Sequence, residues 1–269
     1  MNQLLHWLID LLYLVYVLHG SELNSSVYCE VGPCYSFNLA CDNTGKIKKC
    51  FKRATLLREH EYRSIVDDVL NELRHNVAGG EIYRNLPVAA RMGKLYWNKE
   101  LAYFARLDAS RCAVIPRPCM SSKNFYQIGH LAGLANFVNS NSTTYMINAI
   151  KSIAQDWSKD ISRITRLDTL RLKVGEKESG VLNTALLLLE NNTKFGCAVL
   201  HYRDDIFNYV ILSCAFNRAI QEDERIYEWG RKAGVKCRRK DMEYTNLCNS
   251  DEKYVYHKPK LHLARMWQE

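Results

Sequence analysis

The chain has 269 residues, of which 47% are apolar and 25% charged, and a formal net charge of +8. That balance excludes a disordered chain, and thirteen Gly with five Pro exclude collagen-like and Pro-rich classes. The length suits one large domain or two small ones, and ten cysteines, an even number, suit disulfide pairing outside the cytosol.

Residues Leu4 to Leu18 form an apolar run broken by His6 and Asp10. It is short for a membrane span, which needs about 20 residues. With His19, Gly20 and Ser21 behind it, the run reads as a signal peptide cleaved near Gly20; the alternative is a signal anchor that stays attached. No other apolar stretch is long enough to span a bilayer. All the cysteines follow Gly20, and secretion makes the triplets beginning at Asn24, Asn141 and Asn191 N-glycosylation candidates. Cys29, Cys34, Cys41 and Cys50 come next, at spacings of 5, 7 and 9 residues. A zinc cluster is the alternative to bridging here, but no CxxC is present, which disfavours metal.

Tyr62, Ile65, Val66, Val69, Leu70 and Leu73 repeat at helical spacing, and Gly79-Gly80 stops that helix. A second helix is predicted from Asn98 to Cys112, with Pro116 and Pro118 forcing a loop before Cys119. A third runs from Thr144 to Ile161 behind a cap at Ser142 or Thr143, with a stripe of Met146, Ile150, Ile153 and Trp157. Residues Glu176 to Glu190 are open between buried helix and strand. Cys197 to Arg203 and Phe207 to Cys214 alternate as strands. If their turn is centred between Asp205 and Ile206, opposed residues have numbers summing to 411, which sets Cys197 opposite Cys214. Opposed Cα atoms in an antiparallel pair lie about 4.5–5.5 Å apart, so a bridge there is expected from spacing alone. Neither an internal repeat nor a low-complexity segment is evident, and no GxGxxG, P-loop, HExxH or GxSxG motif is present.

Several stretches in order resemble one family. They are Tyr28-Cys29, Cys34 and Leu39-Ala40-Cys41; Leu73-Arg74 with Val77-Ala78-Gly79-Gly80; Ala90-Arg91-Met92 with the run Leu95 to Ala102; Phe195-Gly196-Cys197-Ala198; Cys214-Ala215-Phe216-Asn217; and Tyr244 to Cys248. Together they resemble the CAP superfamily, in its insect antigen-five-like, venom-allergen-like branch. The resemblance implies an α+β fold, an α-β-α sandwich with a central antiparallel sheet. It also implies the pairs Cys29–Cys41, Cys34–Cys119, Cys50–Cys112 and Cys197–Cys214, leaving Cys237 with Cys248. The implied organisation is a signal peptide (1–20), a cysteine-rich segment (21–53), the CAP domain (54–229) and a basic C-terminal extension holding one Cys pair (230–269).

Many CAP proteins hold two His and two acids in one cleft, a set that can bind a divalent cation. The matching positions here are Leu70, His130, Asp160 and Asn183, so the set is degenerate. Leu70 cannot ligate or shuttle protons, and Asn183 is a poor ligand and no base. His130 and Asp160 remain titratable and could pair with each other as a general base, with no nucleophile placed beside them. His75 falls outside the motif and is expected on the solvent side of a helix end. No catalytic residue, metal ligand or cofactor is therefore assigned. The chain without residues 1–20 carries +9, concentrated as +5 in residues 46–53 and +5 in residues 231–269. Arg231, Lys232, Lys236, Arg238, Arg239 and Lys240 could meet heparin-like glycans or anionic lipid headgroups, or form a solvated tail. Secretion disfavours nucleic acid. The expected function is a secreted, non-enzymatic module that binds an extracellular protein, glycan or lipid, of venom, salivary or reproductive type. Lipid or sterol carriage and a residual hydrolase are the alternatives.

Overall fold

The computed structural model of the chain describes residues 25–48, 50, 53–138 and 143–255. The expected signal peptide, the Asn24 and Asn141 sequons, the Ser142 cap, and Lys49 and Lys52 of the first basic segment lie outside the described residues.

Three ten-residue strands make the centre: β3 (Gly129–Val138), β4 (Lys194–Arg203) and β5 (Phe207–Phe216). Two dipeptide strands, β1 (Thr55–Leu56) and β2 (Tyr96–Trp97), line the outer edge of β4, antiparallel and parallel to it. The spatial order is β1–β4–β5–β3. β4 and β5 pair with Cys197 opposite Cys214, their Cα atoms 4.1 Å apart, and the two sulfurs are bonded. Both strands are buried on both faces, which is why their sequences read as nearly continuous apolar runs.

Helices cover the two faces. One face carries α1 (Arg63–Gly79), α3 (Thr143–Asp156) and α5 (Ser179–Leu188). Leu70, Ile153, Trp157, Leu186, Val199, Leu212 and Cys214 share its core. The other face carries α2 (Lys99–Ala109) and the N-terminal segment, packed on Leu200, Ile211 and Ala215. A short α4 (Arg166–Leu170) precedes α5, behind a capping box of Thr165 and Asp168. The result is a three-layer α+β sandwich.

The helix ends have local causes. Gly80 closes α1 in the left-handed region at φ +72°, where a side chain would be strained. Asn98 caps α2 rather than beginning it: its Oδ1 accepts from Leu101 N at 3.0 Å. Cys112 lies beyond the helix, three residues past Ala109. The third helix stops at Asp156, not Ile161. Trp157 and Ile161 still point inward, so the apolar repeat continues. The backbone bonds there tighten to a three-residue span: Ser158 to Gln155, Lys159 to Asp156, Ile161 to Ser158. Periodicity reports burial, and burial outlasts the α-helix by one turn. The stretch left open between Glu176 and Glu190 is helix at Ser179–Leu188.

Strand β3 is an element that the sequence reading left unassigned. Its sequence, GHLAGLANFV, has two Gly and one β-branched residue, so local propensity is weak. Pairing with β5 along all ten residues supplies the order instead. Gly133 suits the close approach of α3, since a Cβ there would lie 2.4 Å from Ile153.

The disulfides are Cys29–Cys41, Cys34–Cys119, Cys50–Cys112, Cys197–Cys214 and Cys237–Cys248. The second and third tie the N-terminal segment to the layer of α2. Arg74 of α1, wholly buried, stitches the opposite layer. Its guanidinium donates to the carbonyls of Gly93 (2.6 and 2.9 Å), Leu189 (3.0 Å) and Asn192 (3.1 Å). Burial lowers its pKa to about 10. Residues 230–255 are not a free tail. Leu247 and Cys248 are buried, Cys248 N donates to Met92 O, and Lys94 N donates to Cys248 O. His75 accordingly sits under this segment rather than in solvent, its Nδ1 accepting from Asn246 N at 3.3 Å.

Candidate functional site

The four positions matched to the family cleft come from four separate elements. Leu70 lies mid-way along α1, 1% exposed, and supplies only methyl groups to the core. Asn183 is on α5, and its Oδ1 accepts from the Arg117 guanidinium. Asp160 follows α3, with Oδ1 3.4 Å from Arg163 Nη1; Arg163 in turn donates to both carboxylate oxygens of Glu178, at 2.7 and 2.8 Å. Asp160 also packs on the first turn of α5, since a Cβ at Gly180 would lie 1.9 Å from its Oδ2.

His130 is on the other side of the sheet. Side chains alternate along β3, and Leu131 and Gly133 face α1 and α3. His130 therefore faces α2, where it is 6% exposed. Its Nε2 lies 2.7 Å from Asp108 Oδ2 and 3.2 Å from Ser213 Oγ. Asp108 is fully buried, and Arg111 Nε donates to its Oδ1 at 2.9 Å. Burial pushes the Asp108 carboxyl up. The hydrogen bond and charge of His130, the charge of Arg111 and a bond from Ser213 outweigh it, and hold the group below the usual carboxylate range. So His130 does not pair with Asp160; its carboxylate partner is Asp108.

That cluster is not a nucleophile relay. A histidine base needs one nitrogen for the nucleophile and the other for the orienting acid. Here acid and hydroxyl converge on the same nitrogen, and Nδ1 is buried with no hydrogen-bond partner among the described residues. Nor do the four cleft positions fit a divalent cation. One has no donor atom, one carbonyl oxygen is taken by Arg117, one carboxylate faces Arg163, and the imidazole points through the opposite face. Two cysteine-acid groups among the described residues have ligand-like closeness, Cys29–Cys41–Asp42 and Cys237–Cys248–Glu252. Their sulfurs are already in disulfides, so neither offers a thiolate.

Among the described residues, one open hollow lies in the N-terminal segment around Asp42 and Lys46, and two further concavities adjoin the sheet and α1. One, about 120 Å³, lies at the start of β3 between Arg117, Gln127, Ile128, Leu182, Leu186 and Ile220. It is mostly apolar, with His130 at its border. The other, about 340 Å³ and open to solvent, lies along α1 and β2 beside Asp67, Lys94, Tyr96 and Trp97. Burial pushes the Asp67 carboxyl up, against the pull of Lys94.

Asp108, Ser213 and Arg117 escaped the sequence reading, and Arg74 entered it only inside the Leu73-Arg74 match, without a role. Only Asp108 left a usable signal. It stands among Phe104, Ala105 and Ala109 on the apolar face of α2, where a carboxylate needs a buried partner.

The profile of the cysteine-rich secretory protein family, CAP, matches residues 68–216. Tabinhibitin 3 of Tabanus yao is 29% identical over 217 residues, covering 80% of this chain and 83% of that protein. Tablysin 15 of the same species is 28% identical, covering 88% and 91%, and Venom allergen-1 of Aedes aegypti is 25% identical, covering 81% and 80%. Among solved structures, BmVAL-1 aligns with a TM-score of 0.56 at 20% identity, covering 74% of this chain and 97% of that one. NaASP2, solved with Zn2+, aligns with a TM-score of 0.51 at 24% identity, covering 70% and 95%. The profile spans more than half of the sequence, and the layered fold agrees with it: the chain belongs to the CAP family, with an antigen-five-like character shared with the insect relatives.

Proposed function

We propose that this chain is a secreted protein that acts by binding an extracellular partner, without catalysing a reaction. The dispersal of Leu70, His130, Asp160 and Asn183 carries this reading, because each is committed to a different local role. The relatives' name, tabinhibitin, supports a role in which binding itself is the effect. The same reading includes a leader cleaved near Gly20, ahead of a cysteine-rich segment to residue 53, the CAP domain to residue 229 and a C-terminal segment. Of the three sequons, Asn191 is half-buried beside the fully buried Asn192.

Carriage of a lipid or sterol is the second reading, favoured by the apolar cavity at Leu182 and Leu186. Its size argues against a ready-made carrier. Sites for drug-sized ligands measure about 300–1,000 Å³, and this cavity is about 120 Å³.

The test is hydrolysis of ester and peptide substrates by the purified chain with and without added Zn2+. The expected result is no turnover above buffer, and His130→Ala identical to the parent. Metal-dependent hydrolysis that His130→Ala abolishes would overturn the proposal.

A further inference from the structure

The segment 231–240 contains six basic residues and no acid. It is neither helix nor strand, yet its backbone is fixed at several points. Gly230 N donates to Val88 O, Gly234 N to Ala89 O and Lys236 N to Ala90 O, at 2.9 to 3.0 Å. Gly234 reverses the chain at φ +63°, Cys237 is bonded to Cys248, and Lys240 bridges back to Cys248. A Cβ at Gly234 would lie 3.0 Å from Lys240 Cε, so the Lys240 stem folds over the start of the segment. The six cations therefore share one knob instead of trailing along an extended chain.

Two of the six have acidic partners: Lys236 pairs with Glu228, and Arg239 lies 3.6 Å from Asp251. Arg231, Lys232, Arg238 and Lys240 are exposed, and among the described residues none of them has an ion pair. Exposed cations elsewhere include paired ones, such as Arg171 and Lys173 with Asp223, and scattered unpaired ones, such as Arg84 and Lys151; the knob differs in gathering four within ten residues of fixed backbone. Four unpaired like charges on a rigid knob repel one another, and an anionic polymer relieves that repulsion by releasing its own counterions.

We propose that this knob binds a sulfated glycosaminoglycan. Arg guanidinium forks match tetrahedral oxyanions with two parallel hydrogen bonds, and Lys adds point charges, so a repeating sulfate array fits a mixed Arg/Lys cluster. An anionic membrane fits less well. Surface-lying membrane segments bury the apolar face of an amphipathic helix, and this segment has no helix and only Val235 among its large apolar side chains exposed.

The experiment is heparin affinity of the whole chain across a salt series. The quadruple variant R231Q/K232Q/R238Q/K240Q is compared with R84Q/R106Q/K123Q/K151Q, which removes the same charge from exposed, unpaired sites elsewhere. The knob variant is expected to bind at least about tenfold weaker, with a salt slope lower by about one per removed contact, while the control stays near the parent. Parent protein should also prefer heparin to desulfated heparin, a comparison that needs no variant to fold. Equal loss in the two variants, equal binding to desulfated heparin, or binding to phosphatidylserine vesicles without binding to heparin each overturns the proposal.

Discussion

At the scale of single residues, the decisive feature is which way His130 points. A β-strand turns consecutive side chains to opposite faces, so one position along β3 separates the cleft layer from the α2 layer. The family resemblance singled out His130 but not its partner, because Asp108 lies 22 residues away on another element. The pair has a pH signature. The Asp108 carboxyl is held below its unfolded value, so its contribution is complete above about pH 4 and is lost as pH falls through the folded value. Asp108→Asn should therefore cost about 2 kcal/mol at pH 7, and the gap between variant and parent should narrow below about pH 4. Urea midpoints measured at pH 7 and pH 3 check this; a gap independent of pH would refute the assignment.

At the scale of elements, the contact between α2 and β4 sets the thickness of one layer. Gly196 has no room for a side chain: a Cβ would lie 2.1 Å from Ala102 N and 2.6 Å from Asn98 O, both backbone atoms. Backbone cannot rotate away as a side-chain tip can. Gly196→Ala should thus lower stability by about 2–3 kcal/mol through overpacking, read as a drop in thermal midpoint with unchanged disulfides. A midpoint equal to the parent would mean that α2 does not sit where the structure places it. The Phe195-Gly196-Cys197-Ala198 run was visible as a family resemblance, but this reason for its glycine needed the helix in place. The strands on either side illustrate the same division. β4 and β5 were legible from alternation and apolar content, whereas β3 was not, because its order comes from β5 rather than from its own residues.

At the scale of the whole molecule, the disulfides tie distant segments to the two layers. Cys34–Cys119 closes a sequence separation of 85 residues and Cys237–Cys248 one of 11. Loop-closure entropy grows with the logarithm of that separation, so the long bridge is worth about 4–5 kcal/mol and the short one about 3. Replacing Cys34 and Cys119 together by Ala should lower the unfolding free energy more than replacing Cys237 and Cys248, by denaturant titration. The reverse order would show that the C-terminal knob, not the N-terminal clamp, holds the molecule together. The knob's packing also changes the meaning of the chain's basic charge. Part of it stands on a fixed surface of residues 231–240 beside Ala89 and Ala90, where it can present several cations at once.

The sequence by itself determined the principal helices and the β4–β5 register, because periodicity and strand pairing are properties of short stretches, while the α+β class came from the family resemblance. The Cys197–Cys214 bridge followed from that register alone, and the remaining pairs from resemblance. The resemblance also set Leu70 and Asn183 where the family carries histidines, a difference in side-chain identity that is read without geometry. Only the tertiary structure decided that His130 faces Asp108, that Arg117 holds Asn183, and that the C-terminal cations form a knob. Each depends on contacts between residues far apart in the chain, and those distances exist only once the layers have packed.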